Sequence, residues 1–263
     1  MNCDCGCEFE PVIEYQHRLI CGDCTDAAVV ARVMGGEKAG MVFTDPPYAT
    51  FGSSTGKMEL GDYNMLKPFW QRLVETIHEN TSDGRGVFIC CDWRSYPSLF
   101  EVVGRTMKPA NLIVWKHGAI KLGAQFRPGH EFILYAINHS FKRTWKDKEG
   151  NWKIKDRSIS DVWEISQGEA SPGSGREHSS QKPVALVEFA MTHCSDPGDI
   201  VTDYFNGSGT TLIACEKLGR RARCVEIEPG YVAVALERWA AMTGKTPVLL
   251  AHSSSGEAVD NAA

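Results

Sequence analysis

At 263 residues, with a net charge of −5 and a pI near 5.9, the chain is long enough for one sizeable α/β domain with a full core. No apolar run approaches the length of a membrane-spanning helix, and no basic-then-apolar stretch opens the chain, so the expectation is a cytoplasmic protein. In that setting the ten cysteines are expected as reduced thiols rather than a disulfide framework.

Cys3, Cys5 and Cys7 lie in an N-terminal arm, residues 1–15, and Cys21 and Cys24 follow it. Their alternating spacing is not the paired C-x-x-C pattern of structural zinc, and no metal is expected. Next, Met41-Val42-Phe43 reads as a buried strand that ends at Asp45-Pro46-Pro47-Tyr48. Two prolines cannot continue a sheet ladder, and they fix the backbone just beyond the carboxylate. The strand tip then offers an acid, carbonyl acceptors and an aromatic ring, which suits a planar amino group on a ring. Residues 49–62 read as a loop. Phe69, Trp70, Leu73, Val74 and Ile77 have helical spacing, with Ser82-Asp83-Gly84 as the expected stop.

Residues 86–91, 112–115 and 132–137 are short apolar runs expected as strands, and Cys90 and Cys91 fall in the core of the first. The connection 117–130 carries Lys121 and Arg127, and reads equally as a plain strand connection or as a loop closing on DNA. Residues 141–157 are the compositional outlier, with seven basic residues against three acidic ones. Lys142, Arg143, Lys146, Lys153 and Lys155 are interleaved with Trp145 and Trp152, which flank the turn Glu149-Gly150-Asn151. Cations beside aromatics suit nucleic acid, and a solvated hairpin is the alternative.

A helix is expected over residues 184–194, with Val184, Val187, Met191 and Cys194 as its stripe. Residues 199–205 then read as a strand entered from Asp196-Pro197-Gly198. They run into Asn206-Gly207-Ser208-Gly209 and a helix from Thr210 to Leu218 that stops at Gly219. Strand, glycine turn and helix form a nucleotide-cradling unit, because glycine permits close backbone approach and a helix N-terminus offers N–H groups. The next strand, residues 223–227, carries Glu226, 19 residues after Gly207. An acid at about 20 residues is placed to accept from ribose hydroxyls. Leu212 stands where a dinucleotide fingerprint has its third glycine, which favours a nucleoside cofactor without a pyrophosphate. A last helix starts near Pro229 and passes Trp239, and the tail 251–263 is expected to be disordered.

Asp45-Pro46-Pro47-Tyr48 and Asp203-Tyr204-Phe205-Asn206-Gly207-Ser208-Gly209-Thr210-Thr211, taken together, resemble the two signature motifs of the DNA amino-methyltransferases. Glu226-Ile227-Glu228-Pro229-Gly230-Tyr231 is similar to that family's ribose-binding segment. His178-Ser179-Ser180-Gln181-Lys182-Pro183 resembles the lead into its cofactor half, and Cys21-Gly22-Asp23 the motif near the cofactor adenine. With the catalytic motif first and the cofactor motif last, the chain resembles the β class. Tyr204, where the family usually has proline, is a departure.

The resemblance implies a doubly wound, mostly parallel α/β sheet, a Rossmann-like methyltransferase fold in circularly permuted order. It implies a catalytic half (16–138), a small DNA-recognition insertion (139–177) and a cofactor half (178–250). S-adenosylmethionine is the implied cofactor, held by Asp23, Lys182, Pro183, Asp203, Phe205, Gly207, Ser208, Gly209, Thr210 and Glu226. Asp45, Pro46, Pro47 and Tyr48 are the implied catalytic residues. Lys142, Arg143, Lys146, Lys153, Lys155 and Arg127 are the implied contacts to nucleic acid. The implied target is adenine N6, from the leading Asp45, with cytosine N4 as the alternative and a non-catalytic DNA-binding module as a remoter one. DNA is the implied partner and no membrane is; a homodimer and a separate restriction endonuclease stay open.

Overall fold

The computed structural model describes residues 17–47, 63–118, 126–138, 159–167 and 181–249. Tyr48, the basic segment 141–157, the N-terminal arm and the tail lie outside them. The elements run β1 (Arg18–Cys21), α1 (Ala27–Met34), β2 (Ala39–Thr44), α2 (Tyr63–Asn80), β3 (Thr81–Cys91), α3 (Tyr96–Val103) and β4 (Lys108–Lys116). They continue with β5 (His130–Ile137), β6 (Val162–Glu164), α4 (Val184–Cys194), β7 (Ile200–Asp203), α5 (Thr210–Leu218), β8 (Arg221–Glu226) and α6 (Pro229–Thr243). No helix among the described residues is long and apolar enough to cross a membrane.

One sheet takes in all eight strands in the order β1-β8-β7-β2-β3-β5-β4-β6. Every neighbouring pair is parallel except the two that β5 makes, so β5 alone runs against the rest. The strands are apolar on both faces, as a sheet covered on both sides requires. Met41, Phe43, Phe88, Cys90, Ile133 and Tyr135 pack toward α4, α5 and α6. Their alternating neighbours Val42, Val87, Ile89, Cys91 and Leu134 pack toward α1, α2 and α3. This is the period of two read through a three-layer sandwich. Each such fully buried aliphatic side chain contributes roughly 1.5–3 kcal/mol.

Helix α2 ends at Asn80 and passes straight into β3, so Ser82-Asp83-Gly84 falls within the strand span rather than forming the expected stop. Side chains cap the helix instead: Thr81 Oγ1 donates to the Ile77 carbonyl at 2.7 Å, and Asn80 Nδ2 to the Thr76 carbonyl at 2.9 Å. These bonds satisfy carbonyls left open at a helix end. Helices α4 and α5 have the bounds expected from the sequence. Strand β6 lies within the 139–177 segment and extends the edge of the sheet beside β4.

Candidate active site

Strands β2 and β7 lie side by side, Met41 opposite Val201 and Val42 opposite Thr202. From β2 the chain leaves through α2 on one face of the sheet; from β7 it leaves through α5 on the other. The strand order therefore reverses between them, and a crevice opens beyond their C-terminal ends, the usual place for a ligand in such sheets. Asp45-Pro46-Pro47 emerges from one tip and Phe205-Asn206-Gly207 from the other. The two motifs, about 160 residues apart in sequence, are thus adjacent in space.

Asp203 braces the two tips. Its Oδ1 accepts from Thr44 Oγ1 and from the Phe205 N–H, both at 3.0 Å, and its Oδ2 from Thr211 Oγ1 at 2.6 Å. Thr44 Oγ1 in turn accepts from the Tyr204 N–H at 3.2 Å. Burial pushes the Asp203 carboxyl up to about 7; the bonds from Thr211, Phe205 and Thr44 oppose that rise, and nearby Asp45 adds to it. Tyr204, the departure from the family pattern, is buried in the α1–α3 layer.

The Phe205–Gly209 turn is held by its neighbours. Gly207 has φ +51° and Gly209 φ +91°. A Cβ on Gly209 would meet the Ala235 Cβ at 2.8 Å, so α6 packs directly on this turn, whereas the space beside Gly207 is open. The Gly209 carbonyl accepts the first bond of α5, from the Ile213 N–H at 3.0 Å. Ser208 accepts from Arg238 of α6 through its carbonyl and, at 3.1 Å, through its hydroxyl. With its amide carbonyl turned to Arg238, Gln181 accepts from the same guanidinium at 2.9 and 3.0 Å. Phe205 meets Phe69 of α2 edge to face, 5.9 Å between centroids. Asn206 is 4% exposed, and neither polar atom of its side chain has a hydrogen-bond partner.

Glu226 ends β8 and is buried. Its Oε2 accepts from the Gly207 N–H at 2.7 Å and its Oε1 from the Glu228 N–H at 2.9 Å. Burial raises its carboxyl above the usual range, and the backbone N–H groups oppose that rise. Strand β1 pairs with β8, and the Gly22 N–H donates to the Glu226 carbonyl at 2.9 Å, which brings Asp23 to the same edge. Asp23 is exposed, and its Oδ1 accepts from the Thr25 N–H and hydroxyl, both at 2.8 Å.

Lys182 reaches across the crevice. Its carbonyl accepts from Thr210 Oγ1 at 3.1 Å, at the start of α5, and Pro183 fixes the backbone just before α4. Its ammonium lies 2.7 Å from Asp45 Oδ2 and 3.0 Å from Glu131 Oε2. Sequence reasoning did not single out Glu131. It is the second residue of β5, and because that strand runs backwards, its beginning rather than its end reaches the sheet edge where Asp45 lies. Thr44 and Arg238 were likewise not singled out.

Arg127 is exposed just before β5, beside Phe126 at 90% exposure. Tyr48, Lys142, Arg143, Lys146, Lys153 and Lys155 lie outside the described residues. Cys21 and Cys24 are reduced thiols, and no cluster of potential metal ligands forms among the described residues.

Comparison with known proteins agrees with this geometry. The chain is 24% identical over 230 residues to the type II methyltransferase M.HpaI of Haemophilus parainfluenzae, covering 82% of this chain and 72% of that one. It is 26% identical over 224 residues to the type II methyltransferase M2.DpnII of Streptococcus pneumoniae, covering 77% and 82%. Among solved structures, a putative DNA modification methylase of Thermus thermophilus, in complex with S-adenosyl-L-methionine, superposes with a TM-score of 0.65 at 24% identity over 91% of this chain and 100% of that one. The PvuII DNA methyltransferase, described as cytosine-N4-specific, superposes with a TM-score of 0.66 at 16% identity over 95% and 92%. The profile of the family described as DNA methylase matches residues 39–237, which run from the first residue of β2 to the middle of α6 and take in both motifs. The chain belongs to the N6/N4 DNA methylase family.

Proposed function

We propose that this DNA methyltransferase moves a methyl group from S-adenosylmethionine to the exocyclic N6 of adenine in DNA. The observation that carries the reading is the meeting of Asp45-Pro46-Pro47 with the Phe205–Gly209 turn at the reversal of strand order. The residues present fit the cofactor. The open space beside Gly207 and the unpartnered amide of buried Asn206 leave room and polar capacity at the loop. Phe205, Gly207, Ser208, Gly209 and Thr210 would line it, Glu226 would accept from the ribose, Asp23 would face the adenine, and Pro183 would border it. Bound there, the cofactor supplies an electrophilic methyl carbon on a sulfonium sulfur.

An aromatic amino nitrogen is a poor nucleophile, because its lone pair is delocalised into the ring. The Asp45 carboxylate and the Pro46 carbonyl can accept its two N–H groups, which favours a pyramidal nitrogen and frees the lone pair. As nitrogen gains the methyl carbon, the carbon–sulfur bond breaks and its electron pair stays on sulfur. The proton left on the methylated nitrogen is acidic enough to depart to water, so Asp45 serves as an acceptor rather than a strong base. Tyr48 would stack on the target base, which must leave the duplex to reach the crevice. Lys142, Arg143, Lys146, Lys153, Lys155 and Arg127 would meet the phosphates.

Adenine is favoured by Asp45 itself, since the resembling enzymes usually carry aspartate at this position for adenine and serine for cytosine N4. Cytosine N4 is the second reading, and the fold shared with the cytosine-N4-specific neighbour is compatible with it. The test is to incubate the chain with DNA and methyl-labelled cofactor, digest to nucleosides and resolve them by mass spectrometry. Labelled N6-methyldeoxyadenosine is the expected product. Labelled N4-methyldeoxycytidine would move the assignment to cytosine, and DNA binding without label would make the chain a binding module.

A further inference from the structure

The Lys182 ammonium is 8% exposed and faces two carboxylates from two different strands, Asp45 beyond β2 and Glu131 at the start of β5. A buried ammonium requires partners, and it takes these acids at 2.7 and 3.0 Å. Asp45 is the more open of the two, at 28% against 12%, while its Oδ1 is itself buried and its Oδ2 is held by Lys182. The Lys182 backbone is tied to the first residue of α5 and followed by a proline, so the reach of the amine is fixed from the cofactor loop.

We propose that Lys182 is a positioning residue for Asp45, with Glu131 as the second anchor of its ammonium group. The proposal rests on the methyl-transfer reading above. Lys182 orients the acceptor carboxylate and keeps it ionised; Glu131 keeps Lys182 in place while Asp45 engages the amino group. The two carboxylates that flank Lys182 need such a cation. Asp203 on β7 lies near Asp45 and becomes a further negative charge there only as pH rises past about 7. Without Lys182, two carboxylates would face each other at a poorly solvated strand edge.

The experiment compares the full-length wild type with Lys182→Met, Lys182→Arg, Glu131→Gln and the Lys182→Met/Glu131→Gln double variant. It records the pH–rate profile of methyl transfer, cofactor affinity by calorimetry, and melting temperature against pH. Loss of an opposite charge at this range moves a carboxylate upward by about 1–3 pH units, so Lys182→Met should shift the acid limb up by that much. Its kcat at neutral pH should fall about tenfold or more, with cofactor affinity changed less than about threefold. Lys182→Arg should restore most of the limb. Glu131→Gln should move it the other way, since a competing negative charge has gone. The double variant should melt above Lys182→Met at pH 8, because one of two like charges at the strand edge is removed.

A tenfold loss of cofactor affinity in Lys182→Met, with turnover restored at saturation, would make Lys182 a cofactor ligand and overturn the proposal. So would an unmoved acid limb, or single and double variants that melt alike. If wild type methylates no DNA, the reading of the activity fails; the calorimetric and melting arms then still decide the role of Lys182.

Discussion

Glu226 divides its carboxylate between the cofactor loop and the chain that follows β8, one oxygen on the Gly207 N–H and the other on the Glu228 N–H. A group so placed sets the loop, and on the proposed reading its remaining lone pairs would accept from a ribose. Glu226→Ala should therefore weaken cofactor binding by roughly 1.5–3 kcal/mol, the range of charge-assisted hydrogen bonds, and affect turnover at saturating cofactor less. Calorimetry checks it, and an unchanged affinity would leave Glu226 a structural acid. Asp203 gives a pH signature. Its folded carboxyl is raised to about 7 by burial, whereas in the unfolded chain it titrates near the usual 3.8. For an acid raised on folding, the stabilising contribution is complete below the unfolded value and is lost as pH rises to the folded one. Asp203→Asn, with a permanently neutral group in the same shape, should gain stability relative to wild type between about pH 4 and pH 7, by up to a few kcal/mol. Parallel melting-temperature curves over that range would show that Asp203 is not protonated in the fold.

At the scale of elements, the turn into α5 is the most constrained piece of backbone in the site. Gly209 needs both its positive φ and the missing Cβ, since Ala235 of α6 occupies that space at 2.8 Å. Gly209→Ala should cost about 2–4 kcal/mol, combining left-handed strain with a steric clash. Gly207→Ala meets open space and should cost only about 1–2 kcal/mol. Urea unfolding of the two variants separates these, and equal losses would contradict the packing of α6 on the turn. This element was legible in the sequence: the glycines, the strand before them and the helix to Leu218 are all local signals. So was α4, and so were Cys90 and Cys91 as core. The end of α2 was misread, because side-chain caps at Asn80 and Thr81 replace the glycine stop. Strands as short as β1, and the helices α1 and α3, gave no pattern that drew attention. Glu131 was illegible for a deeper reason. Its place at the catalytic edge depends on the direction of β5, which is a property of the sheet and not of the segment.

Across the whole molecule, one mostly parallel sheet takes strands from both ends of the chain, as the doubly wound reading of the sequence implied. Strands β8 and β7, from late in the chain, are inserted between β1 and β2, from its beginning. That insertion sets Asp23 beside Glu226, and Asp45 beside Lys182, across boundaries that the linear order keeps apart. The fold thereby makes one crevice from four distant segments. The account stands on transfer of a methyl group to a DNA amino nitrogen through Asp45, and Asp45→Ala isolates it, because the loop contacts of Glu226, Asp203 and Arg238 do not involve Asp45. The most direct measurement is single-molecule sequencing of DNA from hosts that express wild type or Asp45→Ala, with cofactor affinity of both proteins measured alongside. The account predicts N6-methylated adenine at a defined short sequence with wild type, none with Asp45→Ala, and similar cofactor affinity for the two. Unmodified DNA with wild type, or equal modification by the Asp45→Ala variant, would contradict it.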